Sequence, residues 1–479
     1  MREVNRGDAR MSSASAPAPA KHSLMRNLAV RRLQAARSSD RTACVRVLAA
    51  ALRVQVTGST GGTAPGCAFA KFLRVQVASG AALATILSAT AIATPTTPRD
   101  PGDDLRFQLS QTMMQDSNLY RLPDGIEASV LSPDANATRD DVMSRTSVAA
   151  DGGWQFGRQD VELSLNADAN RFSNNDSLDN TSGNGRADWN WQLMRDWSGQ
   201  LGGSYGRSLS GFTNSRFLAR DVLETYDYHG SARYQLTPHW NVNGLARVSN
   251  GTHDTTSRQQ DDFDSQTTVF GAGYLTGRGD QFGLEYRRTA TSFPNELPGP
   301  AIFASRRYVD RAANFNLQYA FTVKTSLQGS AGYVWRHYPE GVIGDFAGAT
   351  WNAALHWEPR SKTRLTITQW RELNAYVDAE SSHFESRGTR LTVAWLPGAR
   401  ETFAFEVSDE RHDYEGFDPA SFAQPARRDS LRSAQTSFTW QPSARLALDL
   451  AYAFERRSSN RALFNYDDRL LSATLRLIF

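Results

Sequence analysis

The chain has 479 residues, 40% of them hydrophobic and 22% charged, with a mean hydropathy of −0.50. That length suits roughly two or three ordinary domains or one large barrel, and the absence beyond residue 95 of an apolar run of about 18 residues excludes membrane-spanning helices there. The formal charge of +3 hides an asymmetry: residues 1–93 hold 13 of the 53 Lys and Arg but 3 of the 50 Asp and Glu, so the remainder is acidic. It lacks the basic clustering that nucleic-acid binding needs, and no nucleic-acid partner is expected.

Residues 1–70 are rich in Arg, Ala and Ser and carry neither strand nor helix periodicity, which reads as an unstructured leader or as an upstream extension from a mis-assigned start. Residues 71–93 have the form of a signal peptide: Lys71 and Arg74 as a basic start, an apolar core from Val77 to Ile92, and Ala91-Ile92-Ala93 as the cleavage pattern. A linker at 94–103 follows. Both cysteines, Cys44 and Cys67, precede the cleavage pattern. The mature chain would then have no thiolate metal site, which suits passage through an oxidising periplasm.

From Asp104 to Phe479 one unit repeats: about ten alternating residues, a short turn, ten more, then a long polar loop. Ala187, Trp189, Trp191 and Leu193 alternate with Asp188, Asn190 and Gln192, and Tyr226 to Leu236, Ala313 to Phe321, Ala349 to Trp357, Leu446 to Phe454 and Leu471 to Phe479 behave alike. Successive side chains of a strand point to opposite sides, so each segment presents one apolar and one polar face. Short links fall near Gly157–Asp160, Met194–Asp196, Thr237–His239, Gly277–Asp280, Thr322–Thr325, Pro359–Thr363, Pro397–Glu401 and Pro442–Ala444. Longer polar loops lie between them, such as Ser173–Gly185, Ser249–Asp264, Phe293–Ser305 and Asp413–Arg427. Alternating short and long connections separate a transmembrane barrel from a soluble sandwich, which would also alternate in hydrophobicity.

Aromatic residues recur beside the short turns: Phe156, Trp197, Trp240, Phe321, Trp357, Trp395 and Trp440. They are expected to form the girdle at one membrane interface. Counting gives 18 strands, the first near Asp104–Gln115, the second near Ser144–Phe156 and the last near Leu470–Phe479. With both ends periplasmic the number must be even. The expected fold is all-β: a transmembrane antiparallel up-and-down β-barrel of about 18 strands, its interior open or plugged by loops. A C-terminal aromatic such as Phe479 resembles the signal that the barrel-assembly machinery of Gram-negative bacteria reads, so that machinery and outer-membrane lipid are the expected partners.

If the apolar set faces lipid, then Arg186, Asp188, Asn190, Arg233, Arg247, Glu285, Arg287, Asn314, Asn316, Gln318, Arg364, Arg390, Asp449 and Arg476 face the lumen. Rows of such groups could hydrogen-bond a hydrated glycan, and an inward Trp370 could stack on a sugar ring; equally, any water-filled barrel needs a polar lining. The histidines show no HxxxH or HExxH spacing, and there is no CxxC or GxSxG, so neither a metal nor another cofactor is expected. His229, His337, His356, His383 and His412 stay formal candidates for catalysis on a strand rim. Asp261, Asp262 and Asp264, and Asp140 with Asp141, could hold calcium loosely or serve as solvated loop charge.

Two stretches carry a resemblance. The first is Asp116-Ser117-Asn118-Leu119-Tyr120-Arg121-Leu122-Pro123-Asp124; the second runs from Asn166 to Phe212, with ANRFSNNDSLDNTSGNGRADWNWQL and SGQLGGSYGRSLSGF. They resemble the EpsL-type outer-membrane proteins of exopolysaccharide clusters that accompany the exosortase/PEP-CTERM system. The resemblance implies a non-catalytic barrel in exopolysaccharide biosynthesis or export, with the polymer and other export-complex proteins as partners. The alternatives are a general or solute-specific porin and an outer-membrane enzyme acting on lipid or glycan.

Overall fold

The computed structural model describes residues 105–214, 218–295, 307–339, 345–375, 383–415 and 425–479. The leader, signal peptide, linker and both cysteines lie outside the described residues. Eighteen strands follow in order: β1 (Leu105–Asp116), β2 (Asp141–Phe156), β3 (Gln159–Phe172), β4 (Asn180–Leu193), β5 (Trp197–Leu209), β6 (Val222–Gln235), β7 (Trp240–His253), β8 (Phe263–Leu275), β9 (Gln281–Ser292), β10 (Arg307–Thr322), β11 (Thr325–His337), β12 (Phe346–Arg360), β13 (Thr363–Ala375), β14 (His383–Trp395), β15 (Glu401–Glu415), β16 (Arg428–Ser443), β17 (Leu446–Ser459) and β18 (Tyr466–Ile478). Each pairs antiparallel with its chain neighbours, and β1 pairs with both β2 and β18, so the sheet closes on itself. Phe479 completes the seam: its N–H donates to the Phe107 carbonyl at 2.9 Å and its carbonyl accepts from the Phe107 N–H at 3.2 Å. Closure leaves no unpaired strand edge, which is what lets a sheet cross hydrocarbon.

The alternation decides the faces. Along β17, Leu450 and Tyr452 stand exposed on the outside while Ala447 and Arg457 are buried on the inside. Phe270 at 68% and Leu284 at 67% exposure belong to the same outer face. A water-soluble protein would bury them, and here they form the lipid-facing band. All seven aromatics beside the short turns are exposed, from Trp440 at 42% to Phe156 at 65%, at the girdle height expected of them.

The short connections are tight because the strands leave them little choice. Gly157 opens the two-residue turn between β2 and β3 at φ +64, a conformation that suits a hairpin and costs a glycine nothing. Met194, in the turn between β4 and β5, takes φ +59 with a side chain. In the turn between β8 and β9 the Asp280 carboxylate accepts the Ala320 N–H at 3.0 Å and the Thr276 hydroxyl at 3.2 Å. The backbone bond foremost holds its pKa below the usual carboxylate range.

Several boundaries differ from the sequence reading. β2 begins at Asp141 rather than near Ser144, and β18 at Tyr466 rather than Leu470. The loop expected over Ser173–Gly185 ends before Asn180, where β4 starts. β7 runs to His253 and β8 begins at Phe263, shortening the loop expected over Ser249–Asp264, and β15 extends to Glu415. The cause is common to all: these strand ends rise above the lipid, where backbone pairing continues without the apolar alternation that marks a strand in sequence.

Candidate functional site

The polar parity set lines the interior. Arg186, Asp188 and Asn190 lie on the inner face of β4, Arg233 on β6, Arg247 on β7, Glu285 and Arg287 on β9, and Asn314, Asn316 and Gln318 on β10. Arg364 lies on the inner face of β13, Arg390 on β14, Asp449 on β17 and Arg476 on β18.

Many of these groups are satisfied by one another. Arg186 is bonded to Asp188 and Arg247 to Asp227, while His229 sits between the two carboxylates at 3.3 Å from Asp188 and 3.5 Å from Asp227. Gly202 faces this group, where a Cβ would meet Asp188 Oδ1 at 2.3 Å. Arg476 holds Asp449 with two bonds of 2.7 and 2.8 Å, and Thr439 donates to the same carboxylate. Glu285 accepts from Asn316 at 3.1 Å. Arg390 lies 3.3 Å from Glu406 and over the ring of Trp370, and Arg364 lies 3.3 Å from Glu358. Trp370 faces inward as expected but lies flat over Gly388, where a Cβ would meet its ring at 2.2 Å. It is 8% exposed, so the open stacking surface suggested by the sequence is not offered: the wall itself takes the ring.

The extracellular mouth is narrowed from one side by loops 1 (residues 117–140), 2 (173–179) and 3 (210–221). Leu119, Tyr120 and Leu122 of loop 1, Leu178 of loop 2, and Phe212 and Leu218 of loop 3 are buried together with Met114, Met143 and Phe172 at the inner strand ends. Burying a side chain of this size stabilises by roughly 1.5–3 kcal/mol, so the cluster is ample to hold the loops inside the rim. Burial pushes the Tyr120 hydroxyl up to about 12, with Asp134 and Asp141 adding to the effect. Loop 1 is tied to the wall by Arg121, whose guanidinium lies 3.1 Å from Asp116 and 3.0 Å from Asp468. Asn118 closes the turn, its amide donating to the Leu122 carbonyl at 2.8 Å and its Oδ1 accepting the Leu122 N–H at 2.9 Å.

Loop 3 reaches farther. The fully buried Arg457 guanidinium, on the inner face of β17, donates to the Thr213 carbonyl at 2.7 Å and to Asn214 Oδ1 at 2.9 Å. It also bonds to Asp429 on β16 and to the Tyr414 hydroxyl at 3.0 Å. Loop 3 springs from β5 and β6, and β17 stands six strands from β5 round the wall, so the contact crosses the interior. Arg427 backs it, 2.9 Å from Asp429 and over the Tyr414 ring.

Inner strand ends across the mouth carry a matching collar. Arg336 pairs with Asp310 by two bonds of 2.7 Å beneath the Tyr308 ring, and Phe384 packs on Tyr414 with centroids 5.1 Å apart. Arg336, Arg457 and their carboxylates were not singled out in the sequence, and Arg121 and Asp116 entered only as part of the stretch that carries the resemblance, with no pairing expected of them. The inward parity of Asp310, Arg336 and Arg457 was readable; the reach of loops 1 and 3 had no local signal.

The residues raised as catalytic or metal candidates are engaged otherwise. His356 bonds Thr366 at 3.0 Å, His337 bonds Asp345 at 2.9 Å, His383 lies 3.6 Å from Glu415, and His412 lies 2.8 Å from Glu410. Asp141 accepts the N–H groups of Ser173, Asn174 and Asn175, clamping loop 2 to β2. Asp262 takes the His253 N–H at 2.7 Å and the Asn295 amide at 2.8 Å, while Asp261 lies 3.0 Å from Arg258. Among the described residues no group of three His, Cys, Asp or Glu converges on a metal position.

Residues 315–479, from within β10 to the C-terminus, match the family described as "Putative beta-barrel porin 2". Among solved structures, the outer membrane protein OpdK from Pseudomonas aeruginosa is 12% identical, covers 78% of this chain and 99% of its own, and superposes with a TM-score of 0.43. OccK2 (OpdF) from the same organism is 10% identical over 78% of this chain and 98% of its own, with a TM-score of 0.45. A BenF-like porin from Pseudomonas fluorescens Pf-5 is 10% identical over 79% and 99%, with a TM-score of 0.44. No curated protein matches the chain. With its closed 18-strand wall and lipid-facing band, the chain is a porin-like β-barrel of the bacterial outer membrane.

Proposed function

We propose that the barrel is a passive channel for small hydrophilic solutes, with no reaction catalysed and with a modest preference for cations. The observation that carries this reading is the polar, internally ion-paired inner face beneath a mouth narrowed by loops 1 and 3. The charge preference rests on what the ion pairs leave over. Among the described residues, inward carboxylates with no arginine at ion-pair distance, namely Asp151, Asp160, Asp168, Glu285, Glu372, Glu410 and Glu455, outnumber inward arginines with no carboxylate at that distance, Arg145, Arg233 and Arg287. A lumen of one net sign in low-dielectric walls concentrates counter-ions. Planar-bilayer recordings under a salt gradient test this: the reversal potential should take the cation-selective sign. Replacing Arg186, Arg233 and Arg247 with alanine should move it further that way. An anion-selective reversal potential would defeat the charge argument, and no conductance would defeat the channel.

A second reading, a conduit in exopolysaccharide export, is favoured by one observation. The two stretches that resemble the EpsL-type proteins meet in the loop cluster, Leu119, Tyr120 and Leu122 from one and Phe172, Leu178, Leu209 and Phe212 from the other. An acidic lumen disfavours a polyanion, so this reading fits a neutral polymer better. Block of single-channel current by long neutral oligosaccharides, at concentrations where monosaccharides do nothing, would support it over a general porin.

A further inference from the structure

The outer face carries a charged rim above the lipid band, and in most of it the arginines have carboxylate partners on the same face. Arg171 lies 3.3 Å from Asp179, Arg207 2.7 Å from Glu224, Arg371 2.8 Å from Glu385, Arg432 3.0 Å from Asp409 and Arg456 2.6 Å from Asp467. Arg411, opposite Arg387, and Arg469 make no such bond, but each stands two residues along its own strand from an outward carboxylate, Asp409 and Asp413 for the first and Asp467 for the second; one pair lacks even that. Arg288 on β9 and Arg311 on β10 stand directly opposite each other in the register, both exposed and both on the outward face. Their cross-strand neighbours on the far sides are Thr268 on β8 and Trp335 on β11. On their own strands the flanking outward residues are Tyr286, Ala290, Val309 and Ala313. No carboxylate lies within ion-pairing distance of either arginine among the described residues.

Like charges set directly opposite across two strands destabilise the sheet, so the pair calls for an anion between them. Its height identifies that anion's source. Arg311 is ten residues along β10 from the girdle residue Phe321. At about 3.3 Å per residue and a tilt of roughly 40°, this is about 25 Å along the membrane normal. The apolar band of an outer-membrane barrel is about 25 Å tall, so the arginines sit at the opposite interface, at headgroup depth. Below them on the same face come Leu284 and Phe315, paired across the strands and exposed to acyl chains. Phosphate set between two guanidinium groups accepts paired charge-assisted bonds from each.

We propose that Arg288 and Arg311 form a binding site for the phosphate group of an anionic lipid of the outer leaflet, with its acyl chains lying along Leu284 and Phe315. The site is on the outer wall and is independent of what the lumen conducts.

The test uses the full barrel in detergent micelles, titrated with bisphosphorylated lipid A, with zwitterionic phosphatidylcholine and with inorganic phosphate, and read by native mass spectrometry. Wild type should retain one lipid A with at least tenfold preference over phosphatidylcholine, and millimolar inorganic phosphate should not displace it. Arg288→Gln combined with Arg311→Gln should lose that retention, while Arg432→Gln, which removes a paired rim arginine, should keep it. Arg311→Glu covers the case in which the double variant folds badly. It gives Arg288 a carboxylate partner, so it should raise the thermal midpoint in lipid-free micelles and still lose the lipid. Equal retention by the double variant or by Arg311→Glu, equal retention of phosphatidylcholine, or displacement by inorganic phosphate would each overturn the proposal.

Discussion

Replacing Arg457 with alanine should free the tip of loop 3 from the wall and enlarge the channel. Two charge-assisted bonds fasten that tip, to the Thr213 carbonyl at 2.7 Å and to Asn214 Oδ1 at 2.9 Å. Hydrogen bonds to charged groups contribute about 1.5–3 kcal/mol each, so the strap is worth about 3 kcal/mol at the low end. That is a factor of roughly a hundred in population, which leaves the tip off the wall about 1% of the time or less. Without the guanidinium that bias is gone, while Phe212 and Leu218 keep the base of the loop in its apolar cluster. Asp429 keeps Arg427 at 2.9 Å, so the barrel should still fold, at a cost no larger than the roughly 3–5 kcal/mol of a broken buried ion pair. Single-channel recording should show larger steps and more open-state noise, with Arg457→Lys between wild type and the alanine variant. A folded Arg457→Ala barrel with wild-type step size and noise would refute the idea that this contact sets the width of the mouth.

The barrel faces predict an asymmetry: Leu284→Arg on the outer face should cost about 2–4 kcal/mol in urea-driven folding into lipid vesicles, while Thr366→Arg on the inner face should cost far less. Tyr120 gives a pH dependence. Its folded pKa lies near 12 against about 10 unfolded, so its contribution is intact below pH 10 and is lost as pH rises from there toward 12. Loop 1 should loosen over that window, seen as a rise in conductance that Tyr120→Phe moves or removes. Met194 holds a left-handed backbone conformation, φ +59, that costs a side chain roughly 1 kcal/mol. Met194→Gly should therefore stabilise the barrel by about 0.5 kcal/mol after the extra chain entropy of glycine, read as a higher denaturant midpoint.

What the sequence determined by itself is the wall. Period-two alternation is a local property, so Trp189, Tyr228, Phe315 and Leu450 announce the lipid face from their own neighbours, and the parity of Asp188, Arg247 and Asp449 follows. Girdle aromatics such as Trp357 and Trp440 mark strand ends for the same reason. The strand count of 18 and the short-turn positions were therefore legible, while polar strand ends such as Asp141 and Asn180 were not, because above the lipid nothing demands alternation. Tertiary structure alone decided the mouth. Arg457 and Thr213 are 244 residues apart, and nothing in either segment names the other. Their meeting depends on the closure of β1 on β18, which brings β17 within reach of loop 3, and on Tyr120, Leu178 and Phe212 finding one another inside the rim. Loops have no periodic pattern to read; they settle where a few buried side chains and one buried charge are best satisfied.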